Sequence, residues 1–227
     1  MELKIHPIQA NILKTLLFEP KARFSKLNVL KTPTDHFNFH LKRLVELKLI
    51  EKVDKNNYSL TAEGKEFANR FDTEAIVIER QPKIGVLIIA VKGKKYLIQQ
   101  RLKQPYFGFH GFITGKVRWG ETLVETTNRE LQEETGLKGK LTLVGIKHKM
   151  DYSESSKLLE DKLFFVSRID NLKGDLLEKF EGGKNLWLTE KEILKLPDLF
   201  DGVKESIRMA NQKKLAVVET KYKVKKY

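Results

Sequence analysis

Hydrophobic spacing changes once along this chain, and that change constrains the fold more than any other feature. Before about residue 72, apolar residues recur at helical spacing, as at Ile8, Ile12 and Leu16. From Ile84 onward they form short strand-like runs, the first of which extends uncharged to Val91. A chain of 227 residues has room for one or two domains. The sequence therefore predicts a helical N-terminal unit followed by a larger unit that contains a sheet.

Residues 1–72 contain the signals of four helices and one hairpin. The segment Asp54–Asn57 lies between two alternating runs, which predicts a β-hairpin. The helices are expected to begin near Ile8, Phe24, Thr34 and Thr61, with the third ending near Lys48 and the last near Phe71. The apolar stripe of the third helix is expected on Phe37, Leu41, Leu44 and Val45.

This order of elements resembles a winged helix-turn-helix domain over roughly residues 5–72. The resemblance rests on the segments His40–Leu44, Leu49–Lys52, Tyr58–Thr61 and Gly64–Lys65. It implies DNA contacts by Asn38, Lys42 and Arg43 on the third helix, with Lys55 of the wing reaching phosphate. The same fold also serves protein contact and dimerisation. That alternative stays open, because the net charge of residues 1–80 is only +3.

In the C-terminal section, three glutamates have the spacing of one helix face. Glu130, Glu133 and Glu134 stand at i, i+3 and i+4, so a helix would hold them within an arc of about 100°. Carboxylates so close repel one another unless a cation lies between them. Hard oxygen ligands suit Mg²⁺ or Mn²⁺. On this triplet alone, an ordinary acidic surface helix is the simpler interpretation.

The surrounding segment, Gly115 to Leu137, changes that balance. It resembles, at every fixed place, the Nudix box G-x5-E-x7-R-E-U-x-E-E-x-G-U, in which U is apolar. A chance match to seven fixed residues in a chain of this length has a probability of about one in a million. The resemblance to the Nudix hydrolase family covers roughly residues 83–212, where strands precede and follow the box.

The resemblance implies a metal-dependent enzyme that cleaves the pyrophosphate bond of a nucleoside diphosphate linked to another group. It implies metal binding by Glu130, Glu133 and Glu134, assisted by the Gly115 carbonyl, with Mg²⁺ or Mn²⁺ as cofactor. Arg129 would orient a glutamate, and Glu121 would support the loop, so both join the three glutamates as predicted catalytic residues. Which glutamate is the general base stays open.

Some relatives recruit a glutamate from outside the box. The candidate here is Glu181, before the strand around Trp187, and Glu178 is second. Plain surface charge is the competing interpretation of both. For substrate binding, the candidates are Arg101, Lys116 and Arg118 as phosphate contacts and Tyr106 as a base-stacking aromatic. Core packing is the alternative for Tyr106 and its aromatic neighbours.

The predicted fold class is α/β of the α+β kind, in which a winged helix-turn-helix precedes a Nudix α/β/α sandwich with a mixed sheet. The predicted divisions are a winged helix at 1–72, a linker at 73–83, the Nudix domain at 84–212 and a basic tail at 213–227. The predicted function is hydrolysis joined to a DNA-binding module. The alternative is a transcriptional regulator whose Nudix domain mainly senses a nucleotide.

Charge and composition bear on partners and location. The net charge is +13, of which residues 213–227 hold +5, so we expect anionic partners or else a solvated basic tail. The expected partners are a nucleoside diphosphate derivative, double-stranded DNA and a second copy of the chain. Cysteine is absent, and the longest uncharged apolar run is far shorter than the ~20 residues of a membrane span. We therefore expect a cytoplasmic protein with no membrane partner.

Overall fold

The computed structural model describes residues 5–72, 77–78 and 80–227. The chain divides into two compact units, residues 1–80 and residues 81–227. Residues 73–76 and 79 of the predicted linker lie outside the described residues. Across the described part of the chain, every helix is too short or too polar to cross a membrane.

The N-terminal unit is helical, with a small antiparallel sheet of strand order β1-β3-β2. In this sheet Ala22 lies opposite Tyr58, and Ile50 lies opposite Leu60. A separate short pair joins β4 to β5. The elements are α1 (Pro7–Phe18), β1 (Ala22–Arg23), α2 (Phe24–Leu27), α3 (Thr34–Glu46), β2 (Ile50–Lys52), β3 (Asn57–Leu60), α4 (Ala62–Ala68), β4 (Phe71–Asp72) and β5 (Val77–Ile78).

Local chemistry explains where these elements begin. The His6 side chain accepts from the Ile8 N–H and Gln9 accepts from the His6 N–H, which caps α1 at both of these donors. Asp54 accepts the N–H groups of Asn56 and Asn57 and so forms the hairpin turn. The core of the unit packs α1 against α3 and α4, with Leu13, Phe37, Leu41, Leu44 and Ala68 fully buried.

Two expectations for this unit differ from the structure. Val45 is 41% exposed, because it projects about 80° away from Phe37 around the helix, whereas Leu41 and Leu44 stay within about 40°. The last helix ends at Ala68 rather than Phe71, since Phe71 pairs with Ile78 in a strand. The second helix is a single turn and ends at Leu27, without a side-chain cap.

The C-terminal unit is built on a mixed sheet. Its strand order among the described residues is β12-β13-β7-β6-β11-β10-β14, with β8 paired to β7 and β9 to β6. The β6–β11 and β10–β14 pairs are parallel, and the others are antiparallel. The elements are β6 (Lys83–Lys92), β7 (Lys95–Arg101), β8 (His110–Gly111), β9 (Ile113–Lys116), α5 (Leu123–Thr135), β10 (Lys138–Tyr152), β11 (Leu158–Lys173), β12 (Lys179–Phe180), β13 (Gly183–Thr189), α6 (Glu190–Ile193), α7 (Val203–Asn211) and β14 (Ala216–Lys223).

Strand β6 divides its apolar side chains between two cores. Val86, Ile88 and Ala90 pack with Leu131 of α5, whereas Leu87 and Ile89 pack in the core that includes α7. Because successive side chains of a strand point to opposite faces, α5 and α7 cover opposite faces of the sheet. This is the mixed α+β sandwich that the sequence resemblance implied.

The expected basic tail at 213–227 is instead largely a strand. Residues 216–223 form β14, which pairs in parallel with β10 from Gly145 to Tyr152. Ala216, Val218, Thr220 and Tyr222 turn one way while Val217, Glu219, Lys221 and Lys223 face solvent. This alternation exposes two of the lysines along the strand and lets a basic segment complete the sheet.

Candidate active site

The box segment folds into a strand, a loop and a helix that local capping fixes in place. Thr122 caps α5 by accepting the Glu125 N–H, and the Glu125 side chain accepts in return from the Thr122 N–H. The helix ends at Gly136, whose φ of +72° is the left-handed conformation that favours glycine. Both ends of α5 are therefore specified by residues within or beside the box.

Arg129 and Glu121 form a two-pronged ion pair across the loop. The guanidinium donates from Nε to Oε1 at 2.7 Å and from Nη2 to Oε2 at 2.8 Å. Thr126 and the Arg118 N–H also donate to Glu121. Hydrogen bonding by Arg129 is the main reason that the pKa of Glu121 falls to about 2. Glu121 thus stays ionised and ties the loop to the middle of α5.

The same arginine reaches the glutamates that were predicted to bind metal. Arg129 Nη1 donates to Glu130 Oε1 at 2.6 Å and lies 3.4 Å from Glu133 Oε2. Glu134 instead accepts from Gln99 on β7 at 3.0 Å, and burial raises its pKa. Across residues 5–72, 77–78 and 80–227, no three His, Asp or Glu side chains converge in a ready-made metal site.

The environment of Gly115 nevertheless fits a divalent ion. A Cβ atom at this position would overlap Cγ, Cδ and Oε1 of Glu130, so only glycine lets that carboxylate lie against the end of β9. The donors available here are carboxylate and carbonyl oxygens, which are the ligands that Mg²⁺ and Mn²⁺ prefer. Glu130, Glu134 and the Gly115 backbone are the parts of this donor set that face one cavity.

That cavity has a volume of about 610 Å³ and is rich in cationic side chains. It extends from the box, along the face of β6, β11 and β10, to the start of α7. Its carboxylates are Glu130, Glu134, Asp151, Glu160 and Asp201. Its cations are Lys83, Arg101, Lys103, Lys116, Arg118, Lys147, Lys149 and Lys162. The excess of positive side chains suits an anionic ligand.

Three of these lysines lie side by side on neighbouring strands. Lys162 of β11 pairs with Lys149 of β10 on one side and with Lys83 of β6 on the other. We refer to Lys83, Lys162 and Lys149 as the lysine row. Two residues further along β10, on the same face of the sheet, Asp151 lies opposite Glu160 of β11, and both carboxylates are buried. The wall of the cavity therefore carries a line of cations beside a pair of anions.

The structure places the four predicted substrate-binding residues at the cavity in different roles. Lys116 and Arg118 are exposed and lie next to the glutamates. Arg101 also lines the cavity, but its guanidinium donates to the carbonyls of Pro105 and Gln104, and burial lowers its pKa. Tyr106 is buried, and its hydroxyl donates to Asp151 at 3.0 Å. Arg101 and Tyr106 therefore line the cavity and also stabilise its wall through these hydrogen bonds.

The aromatic residues around Tyr106 pack on one another. The Tyr106 ring lies 5.3 Å from Phe109, 5.0 Å from Phe200 and 5.0 Å from Tyr227 between centroids. These contacts occupy the ring that the sequence offered for base stacking. Burial and the nearby Asp151 raise the pKa of Tyr106, so the hydroxyl remains a donor.

Glu181 and Glu178 do not join the box glutamates. Both are exposed, and the cavity is lined by the neighbours of Glu181, Phe180 and Gly182, rather than by Glu181 itself. Among the described residues, the glutamate outside the box that does line the cavity is Glu160. Its sequence signal is weak, because Glu160, Asp161 and Lys162 form a charged run that is typical of an exposed segment.

In the N-terminal unit, the predicted DNA contacts lie on the outer part of α3 and in the hairpin turn. Lys42 and Arg43 are exposed, and Asn38 is half-buried. Arg43 pairs with Glu46 at 3.0 Å, which neutralises part of its charge. Lys55 is exposed in the turn between β2 and β3. The helix and the turn thus offer three exposed cations.

Comparison with known proteins identifies the C-terminal unit. The family model described as NUDIX domain matches residues 79–209, which is more than half of the chain. The chain belongs to the NUDIX family. It is accordingly an enzyme of the Nudix pyrophosphohydrolase type, a class that generally uses divalent metals and binds nucleoside diphosphate derivatives.

Two solved structures show the same Nudix fold. The MutT protein from Bacillus halodurans is 25% identical, with a TM-score of 0.52, over 62% of this chain and 90% of its own. The NUDIX domain of NrtR from Shewanella oneidensis, crystallised with ADP ribose, is 17% identical with a TM-score of 0.50. That match covers 66% of this chain and 97% of the NrtR domain.

Proposed function

We propose that the Nudix unit hydrolyses the pyrophosphate bond of a nucleoside diphosphate linked to another group, with Mg²⁺ or Mn²⁺ as cofactor. The observation that carries this proposal is the Arg129–Glu121 ion pair, which fixes α5 so that Glu130 and Glu134 face a cationic cavity beside Gly115. Such a site combines hard metal ligands with cations for phosphate oxygens.

Glu130, Glu133 and Glu134 would hold the metal, with the Gly115 carbonyl as a further ligand. When bound, the ion would neutralise the diphosphate and increase the acidity of water. Arg129 keeps Glu130 and Glu133 near one another until then, because one guanidinium contacts both carboxylates. The ion would take over part of that role, so Arg129 and Glu121 act as positioning residues for the ligand set.

The remaining cavity residues would bind and orient the substrate. Lys116 and Arg118 are exposed beside the box, and we assign them to the diphosphate oxygens. Arg101 and Tyr106 would shape the wall that the linked group contacts. We assign the general base to Glu130 or Glu134, because these are the box glutamates that line the cavity.

Turnover assays on purified protein test the hydrolase proposal. A panel of nucleotide sugars, dinucleoside polyphosphates and deoxynucleoside triphosphates with Mg²⁺ should yield phosphate-containing products from at least one class. Glu133→Gln should reduce kcat by about a hundredfold or more, with nearly unchanged Tm, because its side chain is 53% exposed. Glu125→Gln is the matched control on the same helix, since glutamine also completes a capping box. Equal activity of the two variants would refute the assigned metal site.

We propose a second role for residues 1–72, as a winged helix that binds double-stranded DNA under the influence of a nucleotide. The specific support is the exposure of Lys42 and Arg43 on α3 together with Lys55 in the β2–β3 turn. The Nudix unit, which we delimit at 84–212 plus β14, would then also sense its ligand. Protein contact through the same helix, including homodimerisation, is the competing role.

Fluorescence anisotropy with a random-sequence duplex tests DNA binding. Replacing Lys42 with alanine should weaken DNA binding about tenfold at low salt. It should also reduce the slope of log K against log salt concentration by about one, the value for one lost phosphate contact. Lys65→Ala, an exposed lysine on α4, is the control and should bind as the unmodified chain does. The competing role, protein contact, would be favoured by two results together. The unmodified chain would not bind DNA, and it would sediment as a dimer that the Lys42→Ala substitution dissociates.

A further inference from the structure

The lysine row is the part of the cavity that the hydrolytic residues leave unused. We propose that it binds a phosphate monoester of the substrate, additional to the diphosphate that is cleaved. The inference rests on the proposed function and narrows it. It restricts the substrate class to nucleoside diphosphate derivatives that carry a further phosphoryl group.

The three lysines repel one another across the strands, and the neighbouring carboxylates offset only part of this repulsion. Like charges directly opposite on neighbouring strands destabilise a sheet. Here Lys149 lies opposite Lys162, and Lys162 lies opposite Lys83. The side chains of Lys149 and Lys162 are only 10% and 28% exposed, so water screens their repulsion incompletely. A phosphate lying across the row would replace repulsion with charge-assisted hydrogen bonds.

In the part of the chain that the structure describes, the nearby carboxylates leave part of the hydrogen-bonding capacity of the lysine row unpaired. Asp151 pairs with Lys149, whose ammonium also lies 5.1 Å from the Tyr222 ring, and Asp201 lies near that same lysine. Glu160 is shared by Lys83 at 2.9 Å and Lys162 at 3.5 Å, and it also accepts from Tyr227. Two ammonium groups therefore share one carboxylate at the Lys83–Lys162 half of the row.

Lys147, the fourth lysine of this wall, has a hydrogen-bond or ion-pair partner for every N–H of its ammonium group. Lys147 is 2% exposed and donates to the Gly202 carbonyl at 2.7 Å and to Ser206 at 3.3 Å. It also pairs with Glu205 at 3.2 Å. All three of its N–H groups have partners, so Lys147 lies outside the proposed subsite. Lys83 and Lys162 lack an equivalent set of acceptors among the described contacts.

The distance from the box determines which phosphate this subsite can hold. Lys116, beside Gly115, lies opposite Gly85 on β6, and Lys83 is two residues further along that strand. Lys162 and Lys149 are one and two strands further across, so by ordinary strand spacings the Cα atoms of the row lie about 8 to 16 Å from the Lys116 Cα. The metal would already neutralise the scissile diphosphate. The row is therefore available to a different phosphoryl group.

Binding of inorganic phosphate to the full chain in EDTA tests the subsite without any hydrolysis. EDTA removes phosphate binding through a metal ion at the box, and the Lys162→Gln variant separates the row from Lys116 and Arg118. Against chloride at equal ionic strength, 10 mM phosphate should raise Tm by about 3 °C for a dissociation constant near 1 mM. Lys162→Gln should abolish the shift, whereas Lys94→Gln, in the turn between β6 and β7, should keep it. No shift in the unmodified chain, or a shift that survives Lys162→Gln, overturns the inference.

Substrate pairs that differ by one phosphate locate the group. Coenzyme A against dephospho-coenzyme A and NADPH against NADH place it on the nucleoside side, and ADP-ribose 1″-phosphate against ADP-ribose places it on the linked group. In at least one pair, the substrate with the additional phosphate should have a KM about tenfold lower than the substrate without it. The Lys162→Gln substitution should remove this difference in KM while kcat stays within about twofold of the value for the unmodified chain. If both members of every pair are hydrolysed with the same KM, the inference about the lysine row is overturned and the proposed hydrolase is not. Absence of hydrolysis with an intact phosphate shift refutes the proposed hydrolase instead.

Discussion

At the scale of single residues, the box works through contacts between near neighbours in sequence. Arg129 alone contacts Glu121, Glu130 and Glu133, as well as the Lys116 carbonyl. Such local contacts follow from helix and loop geometry, which is why the sequence predicts the members of this group. The sequence did not predict Gln99, which comes from another strand and holds Glu134 at 3.0 Å.

Replacing Gly115 with alanine tests the close approach of β9 to Glu130. The added Cβ would overlap the Glu130 side chain, so that carboxylate must turn away from the cavity. We expect kcat/KM with Mg²⁺ to fall by at least about ten- to a hundredfold, which is the usual cost of losing a contact that orients a metal ligand. Gly93→Ala is the control, because open space surrounds that position in a distant turn. Equal kcat/KM for the two variants would argue against the assigned ligand.

At the scale of elements, periodicity predicts α5 and the central strands because each carries its own signals. The spacing of Glu130, Glu133 and Glu134 predicts one helix through the box, and the structure has this helix over Leu123–Thr135. Strand β14 was missed because four of the eight residues Ala216–Lys223 are polar or charged, and its partner β10 lies about 70 residues earlier in the chain. The apolar pattern of α5 also does not predict that Thr127 and Thr135 are buried, because both are polar residues. Thr127 and Thr135 satisfy their hydroxyls within the helix, by donating to the Leu123 and Leu131 carbonyls.

The end of α5 offers a test of helix termination. Gly136 has a φ of +72°, and a Cβ there would lie 2.6 Å from the Asp175 carbonyl oxygen. Gly136→Ala should therefore lower the free energy of unfolding by about 2–3 kcal/mol, from backbone strain and overlap together. Gly93→Ala has a similar φ of +61° but no neighbour to overlap, so it should lose about 1 kcal/mol. Urea titration of each variant measures the difference, and equal losses would contradict the overlap.

The attachment of β14 should depend on pH through His148. Its Nδ1 lies 3.0 Å from Glu219 of β14, and its Nε2 lies 2.8 Å from Asp161 of β11. Hydrogen bonding to Glu219 and then Asp161 raises the pKa of His148. A raised pKa contributes stability that is fully present below about pH 6.5 and is lost as pH rises through the folded-state value.

The measurement compares the unmodified chain with His148→Gln in urea at several pH values. The stability difference between the two should be largest at the acidic end and should shrink as pH rises. A difference that is constant with pH, or that grows toward alkaline pH, would show that the imidazolium does not bridge the strands.

At the scale of the whole molecule, the two compact units carry separate cores. The N-terminal core includes Leu13 and Phe37, and the two cores of the second unit lie on the faces of its sheet. The change in hydrophobic spacing after residue 72 anticipates this division. The cavity could not be anticipated in the same way, since its wall joins strands β6, β10 and β11, whose pairing no local pattern specifies.

Residues 81–227 expressed alone should retain the hydrolytic activity. Every residue that lines the cavity, and both cores around it, belong to this unit. We expect kcat/KM within about threefold of the full chain on the same substrate, since a domain with its own core folds independently. A folded fragment, shown by a cooperative thermal transition, that fails to turn over substrate would contradict this prediction.

The lysine row and the box lie on different elements of one cavity. The proposed metal ligands lie on β9 and α5, whereas the row lies on the three neighbouring strands β6, β11 and β10. On the assignment proposed above, a mutation in the row would change which substrate is cleaved while leaving the metal ligands in place. On that assignment, the range of substrates could be broadened or narrowed by substitutions on these strands, independently of the residues that hold the metal.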